Sequence, residues 1–348
     1  MIDYLLDNFD WLLICMSIAA VVVFVCLFFV DAGYGKFYTR RWGPSVGNRL
    51  GWMLMELPVF VLMLVLYIHW EMPPEAPLYY PSGLQPPPLN RGGTPADFGL
   101  QPPPLNRGGT ELSQAGRWSP VPLVFLILFE LHYFQRSLVF PFLLRGKNRM
   151  PLAIVLLGVV FNCLNAFMQA GWLFCLSKSV TPYPYTVGWL LTPQFIVGTL
   201  LFFAGMGINL HSDHVIRQLR QPGDTRHYLP SRGLYRYVTS ANYFGELVEW
   251  CGFALLTWSW SGVVFALWTF ANLAPRAYRI HKCYQADFPE QMAAHPRKRM
   301  IPYVWTVLPL LLVAIYFLTI VFTPYLSFVR ITRRYCPAGS VLMSISVS

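Results

Sequence analysis

One carboxyl stands alone in an otherwise apolar run. Glu56 lies within WMLMELPVFVLMLVLYI, with no charged residue between Arg49 and Glu71. An ionisable group in so apolar a stretch is costly, which makes it a functional candidate. An isolated carboxyl there should hold its proton. A protonated acid can then donate a hydrogen bond to an oxygen that becomes negative during a reaction. A hydrogen bond that merely packs two helices is the plainer alternative. A second group, Glu130, His132, Tyr133 and Arg136, falls in the apolar run near 120–140. Tyr133 can supply a phenolic donor to the same oxygen, and Arg136 follows one helical turn later.

The densest polar constellation is GMGINLHSDHVIRQLRQPG at 205–223. Asn209 and Asp213 share a helix face at i, i+4, and Arg220 lies two turns beyond Asp213. Amide, carboxylate and guanidinium in that order suit a ribose and its phosphates; a solvated helix at the membrane edge is the alternative. Gly205 and Gly207 do not form a dinucleotide fingerprint, because no strand precedes them and Leu210 occupies the place of the third glycine. SANYFGELVEW carries Asn242, Glu246 and Glu249, with Asn242 and Glu246 again on one face. Carboxylates at the mouth of an apolar helix need donors, from a ligand carboxamide, from Trp250 or from a neighbouring helix. In RAYRIHKCY, His281 and Tyr284 can flank a flat ring while Arg276 reaches a phosphate. No HExxH motif or Cys/His cluster at ligand spacing occurs, so no metal is expected.

The elements that must position these groups are read from composition. Hydrophobic residues make up 55% of 348 and charged residues 12%, against about 25% charged in a soluble domain. Apolar runs near 11–30, 51–70, 120–140, 151–176, 187–208, 242–258 and 262–274 predict an all-α integral membrane protein, a bundle of seven transmembrane helices. The last two runs are short. The first is not a cleavable signal, since Asp3, Asp7 and Asp10 precede it. The net charge of +10 is not a nucleic-acid footprint, because the basic residues sort by loop: 18 fall on one side of the expected bundle and four on the other. The positive-inside rule then places the N-terminus outside. The cysteines show no CxxC pair and read as small core residues.

Two segments stand apart. GLQPPPLNRGGT occupies 83–94 and again 99–110, inside a Pro- and Gly-rich stretch at 71–119 that cannot build a packed core. Residues 306–328 form an eighth apolar run, within an extension at 306–348 that follows the 1–305 helical domain.

The motifs GMGIN-L-HSD, RQLR-x-PG and ANYFGELVEW, together with GYGK at 33–36, ELP at 56–58, HYFQR at 132–136 and RKRMIPYVW at 297–305, resemble the steroid 5α-reductases, types 1 and 2. The resemblance covers most of residues 30–305, apart from the insertion. It implies a seven-helix membrane oxidoreductase in which NADPH enters from the cytosol and a lipophilic steroid from the bilayer. The hydride would go to C5 of the enone. It assigns Glu56 and Tyr133 to the 3-keto oxygen. It assigns Lys36, Arg145, Lys147, Asn209, Asp213, Arg220, Asn242, Glu246, Arg276, His281 and Tyr284 to the cofactor. Trp52 and Met55 would line the steroid pocket, with Met55 standing where the family usually has Gln. No nucleic acid and no obligate protein partner is expected. A bacterial inner membrane and an endoplasmic reticulum membrane suit the chain equally. Three alternatives stay open: an enone reductase acting on an enoyl thioester or a polyprenol derivative, a membrane methyltransferase of the isoprenylcysteine type that would use S-adenosylmethionine, and a non-enzymatic transporter or receptor with Glu56 as its ligand site.

Overall fold

The computed structural model describes residues 2–30, 42–71, 119–144, 148–180, 182–219 and 226–302. Lys36, Arg145, Lys147, Arg220, the duplicated repeat and the 306–348 extension lie outside the described residues. After a short helical turn at Ile2–Asp7 come α1 (Phe9–Phe29), β1 (Ser45–Gly47) and α2 (Asn48–Glu71). Then follow α3 (Val121–Leu143), β2 (Arg149–Pro151), α4 (Leu152–Ala170, prolonged by two irregular turns to Ser179) and α5 (Pro193–Gln218). The chain continues through α6 (Ala241–Thr257), α7 (Trp260–Asp287) and the short α8 (Pro289–Ala294). Helices α1 to α5 are long and apolar enough to cross a membrane, which makes this a multi-pass membrane protein. Helix α6 has only 17 residues, and the 28-residue α7 runs on from its apolar start into the polar RAYRIHKCYQAD.

The burial pattern is that of a protein solvated by lipid. On α4, Leu156, Leu157 and Val160 are exposed, whereas Asn162, Asn165 and Gln169 are buried. Lipid cannot hydrogen-bond a polar side chain, so these amides turn inward to find partners. The same physics corrects the reading of the cysteines: Cys15, Cys26 and Cys251 are exposed on the outer surfaces of their helices rather than packed in the core. The core centres on Trp250, whose ring lies 4.3 Å from Phe265 and 5.8 Å from Phe253.

Helices α5 and α6 run antiparallel in backbone contact. A Cβ placed on Gly205 would lie 2.2 Å from the amide nitrogen of Glu249, and one on Gly245 would lie 2.5 Å from that of Asn209. Gly198 and Gly252 meet in the same way one heptad away. Removing the side chains lets two backbones approach, and in a membrane such close packing is what associates helices. The seam sets Asn209 and Asp213 of α5 against Asn242 and Glu246 of α6.

Two further ties close the same end of the bundle. Strands β1 and β2 pair antiparallel, Val46 opposite Met150, and join the loops that enter α2 and α4. Arg49 donates to the carbonyl of Leu144 at 2.8 Å. Beyond α8, the chain returns to the α5–α6 loop, where Thr239 N donates to Lys298 O at 2.9 Å and Ser240 N to Arg299 O at 3.0 Å. Helix α1 is fastened to α7 by Trp268 Nε1, which donates to Met16 O at 2.8 Å.

Candidate active site

Glu56 sits on α2 two residues before Pro58, which lies inside the helix without ending it. It is less isolated than its sequence suggests. Asn162 of α4 donates through Nδ2 to the carbonyl of Met55 at 2.7 Å and to Glu56 Oε2 at 3.2 Å. One helical turn along, Asn165 Nδ2 donates to the Tyr133 hydroxyl at 3.3 Å. Residues 162 and 165 share a face of α4, so the acid of α2 and the phenol of α3 are held from one helix. Tyr133 lies within electrostatic range of Glu56. Its ring is fixed by Phe129 at 4.7 Å and Trp250 at 5.9 Å.

Helix α3 widens just beyond Tyr133. Pro141 has no N–H for the carbonyl of Ser137, and the Phe140 amide bonds five residues back to Gln135 O. The Ser137 hydroxyl donates to Tyr133 O at 2.6 Å. Arg136 sits in this wide turn. Its guanidinium lies 4.8 Å from the Trp52 ring centre and 4.7 Å from that of Phe140, and it faces Asp213 Oδ2 at 3.9 Å and Glu246 Oε2 at 3.8 Å. Arg136 is also in electrostatic range of Glu56. It therefore links the Glu56–Tyr133 pair to the polar seam of α5 and α6.

On that seam Asn209 Nδ2 donates to Asn242 O at 3.0 Å and approaches Glu246 Oε2 at 3.5 Å. Asn242 Nδ2 donates to Asp213 Oδ1 at 3.2 Å, and the Tyr235 hydroxyl donates to Asn242 Oδ1 at 3.3 Å. Burial first, then the nearby Asp213, pushes the Tyr235 phenol well above its ordinary range, so it stays a donor. Asp213 Oδ2 is buried with no hydrogen-bond partner among the described residues. A buried carboxylate oxygen that faces Arg136 at 3.9 Å but accepts no hydrogen bond among the described residues suits a ligand that brings hydroxyl groups.

The remaining expected residues fall around this centre. His281 Nδ1 lies 3.3 Å from Thr239 Oγ1 at the foot of the returning 297–299 segment. Burial, then Arg299, holds its imidazole below the ordinary histidine range, so it remains neutral there. Tyr284 is in electrostatic range of Tyr235, and Arg276 is partly buried on α7. The Met55 side chain packs on α4 at Gly158, where a Cβ would meet its Cγ at 2.3 Å. Of the two glycines in GMG, Gly205 forms the helix seam and Gly207 faces open space.

Glu249 takes its donor from a neighbouring helix: His132 Nδ1 lies 2.8 Å from Oε1, with both residues buried. The amides of α4 are not among the site residues expected from the sequence. Their signal was present in FNCLNAFMQ, where Asn162, Asn165 and Gln169 recur at helical spacing in an apolar run.

A family model described as 3-oxo-5-alpha-steroid 4-dehydrogenase matches residues 148–305. The chain is 36% identical over 302 residues to 3-oxo-5-alpha-steroid 4-dehydrogenase 1 of Bos taurus, covering 86% of this chain and 97% of the relative. It is 31% identical over 305 residues to steroid 5-alpha-reductase DET2 of Arabidopsis thaliana, covering 85% and 97%. With 3-oxo-5-alpha-steroid 4-dehydrogenase 2 of Macaca fascicularis it shares 32% identity over 294 residues, covering 83% and 93%.

Proposed function

The chain belongs to the 3-oxo-5-alpha-steroid 4-dehydrogenase family, and on that premise we propose that it is an NADPH-dependent membrane oxidoreductase that reduces the Δ4 double bond of a 3-oxo-Δ4-steroid to the 5α-3-oxosteroid. The observation that carries this reading is the tethering of Glu56 and Tyr133 by Asn162 and Asn165, one turn apart on α4. An acid and a phenol held together can both donate to a single ketone oxygen.

When bound, NADPH would supply a hydride to C5 of the enone, which would leave negative charge on the 3-keto oxygen until a proton added at C4 completes the reduction. Glu56 and Tyr133 hydrogen-bond that oxygen as its charge grows. The apolar helices around them exclude water, and such bonds gain strength there. Trp52 and Met55 line the steroid side. Asn209, Asp213, Asn242 and Glu246 hold the hydroxyls and carboxamide of the cofactor, and the undonated Asp213 Oδ2 supports that fit. Lys36, Arg145, Lys147, Arg220 and Arg276 serve its phosphates, and His281 and Tyr284 flank a flat ring. The basic loops support a seven-span arrangement with the N-terminus outside and the cofactor end in the cytosol. Steroid then enters from the bilayer, of the bacterial inner membrane or the endoplasmic reticulum.

The test is direct. Protein purified in detergent is mixed with NADPH and testosterone, progesterone or androstenedione, and loss of the enone and cofactor absorbance is followed together. Coupled loss of both is expected; NADPH stability with every 3-oxo-Δ4-steroid tried would refute the reading. Asn242→Ala removes the amide that orders Asp213 and should raise the KM for NADPH about tenfold, as loss of one hydrogen bond to a charged group does, with the steroid KM unchanged. An effect confined to the steroid KM would show that the cofactor lies elsewhere.

A further inference from the structure

We propose that a ladder of amides on α4 sets the direction of hydrogen bonding at both Glu56 and Tyr133, so that each turns its O–H toward the substrate ketone. This rests on the roles proposed above for those two residues. Backbone carbonyls can only accept hydrogen bonds. Ser261 O takes a hydrogen bond from Gln169 Nε2 at 2.8 Å, which decides how the Gln169 amide is turned. The second hydrogen of that nitrogen goes to Asn165 Oδ1 at 3.2 Å. Asn165 must then face Tyr133 with its nitrogen, and it donates to the phenolic oxygen at 3.3 Å. A hydroxyl that accepts there has to send its one hydrogen elsewhere. Among the described residues no acceptor meets it, so it is left for the ketone.

Asn162 repeats the logic for the acid. Met55 O fixes the Nδ2 end at 2.7 Å, and the remaining hydrogen reaches Glu56 Oε2 at 3.2 Å. In the protonated acid the oxygen that accepts best is the carbonyl oxygen, so a bond accepted on Oε2 favours the proton on Oε1. Both chains thus run from a backbone carbonyl through an α4 amide to a donor, with the same sense. Asn165 and Gln169 are fully buried and Asn162 is 4% exposed, so bulk water does not compete for these bonds. Charged and titratable groups near Tyr133 include Glu56 on α2, Arg136 on α3 and Glu246 on α6, and His132 of α3, paired with Glu249 of α6, whose ring lies 5.1 Å from that of Tyr133. The amides are positioning residues, since they act through Glu56 and Tyr133.

Asn165→Asp and Asn165→Ala separate direction from packing. Aspartate nearly matches asparagine in shape, but once ionised it can only accept, and it draws the Tyr133 hydrogen to itself. The ratio of kcat for Asn165→Asp over Asn165→Ala, measured with NADPH and progesterone from mildly acidic to mildly alkaline pH, should fall about tenfold or more as pH rises, the cost of losing one oxyanion donor being at least that. A flat ratio with the aspartate variant the faster would overturn the ladder, because packing alone predicts that order. Asn162→Asp and Asn162→Ala give the same comparison at Glu56 and serve if the residue-165 variants do not fold. Tyr133→Phe separates the two levels of inference. Near-normal turnover in Tyr133→Phe removes the proposed role of the phenol. A slow Tyr133→Phe combined with a flat ratio removes the ladder alone.

Discussion

Tyr133→Phe should lower kcat about a hundredfold, the usual loss when one oxyanion donor is removed, and leave NADPH affinity unchanged. The substitution deletes only the hydroxyl. The ring contacts with Phe129 at 4.7 Å and Trp250 at 5.9 Å persist, so the fold has little reason to respond. Glu56→Gln should cost about as much, because an amide N–H is a far weaker acid than a carboxyl, although Asn162 can still meet its oxygen. Stopped-flow turnover combined with cofactor fluorescence titration reads both quantities. Near-normal rates in both variants would take the two residues out of the chemistry. A loss of NADPH binding in either would mean that the pair belongs to the cofactor site.

The second large effect is structural. Gly205→Ala should destabilise the protein by about 3 kcal/mol, the upper end for overpacking, and loosen the polar seam with it. The new Cβ would lie 2.2 Å from the Glu249 nitrogen and 2.6 Å from the Gly245 oxygen, and backbone atoms cannot rotate aside. The helices must separate, and the Asn242–Asp213 bond of 3.2 Å goes with them. Gly207→Ala is the control two residues away, where a Cβ meets nothing within 4 Å; it should be neutral. Thermal melting of both variants in one detergent decides the matter. Equal midpoints would mean that α5 and α6 do not touch as described.

A carboxyl or phenol in an apolar run is visible from its neighbours alone, because the cost of burying it does not depend on which helix lies opposite. Glu56 and Tyr133 could be singled out on that ground. So could Asn209 with Asp213 and Asn242 with Glu246, since helical spacing places each pair on one face. Their partners were not readable in this way. His132 and Glu249 are 117 residues apart, and Glu56 and Asn162 are 106 apart. No local rule says which buried donor meets which buried acceptor.

Local chemistry thus decided that the chain is a bundle of apolar helices with a few costly polar groups inside, because the transfer of each side chain from water is a property of that side chain. Which helices touch was decided by shape across the bundle: glycines at 198, 205, 245 and 252 gain their meaning only when α5 and α6 lie against each other. The direction of the hydrogen bonds at Glu56 and Tyr133 was decided the same way. It depends on two backbone carbonyls, Met55 O and Ser261 O, whose positions come from the packing of α2, α4 and α7. A carbonyl is common to every residue and carries no mark in the sequence.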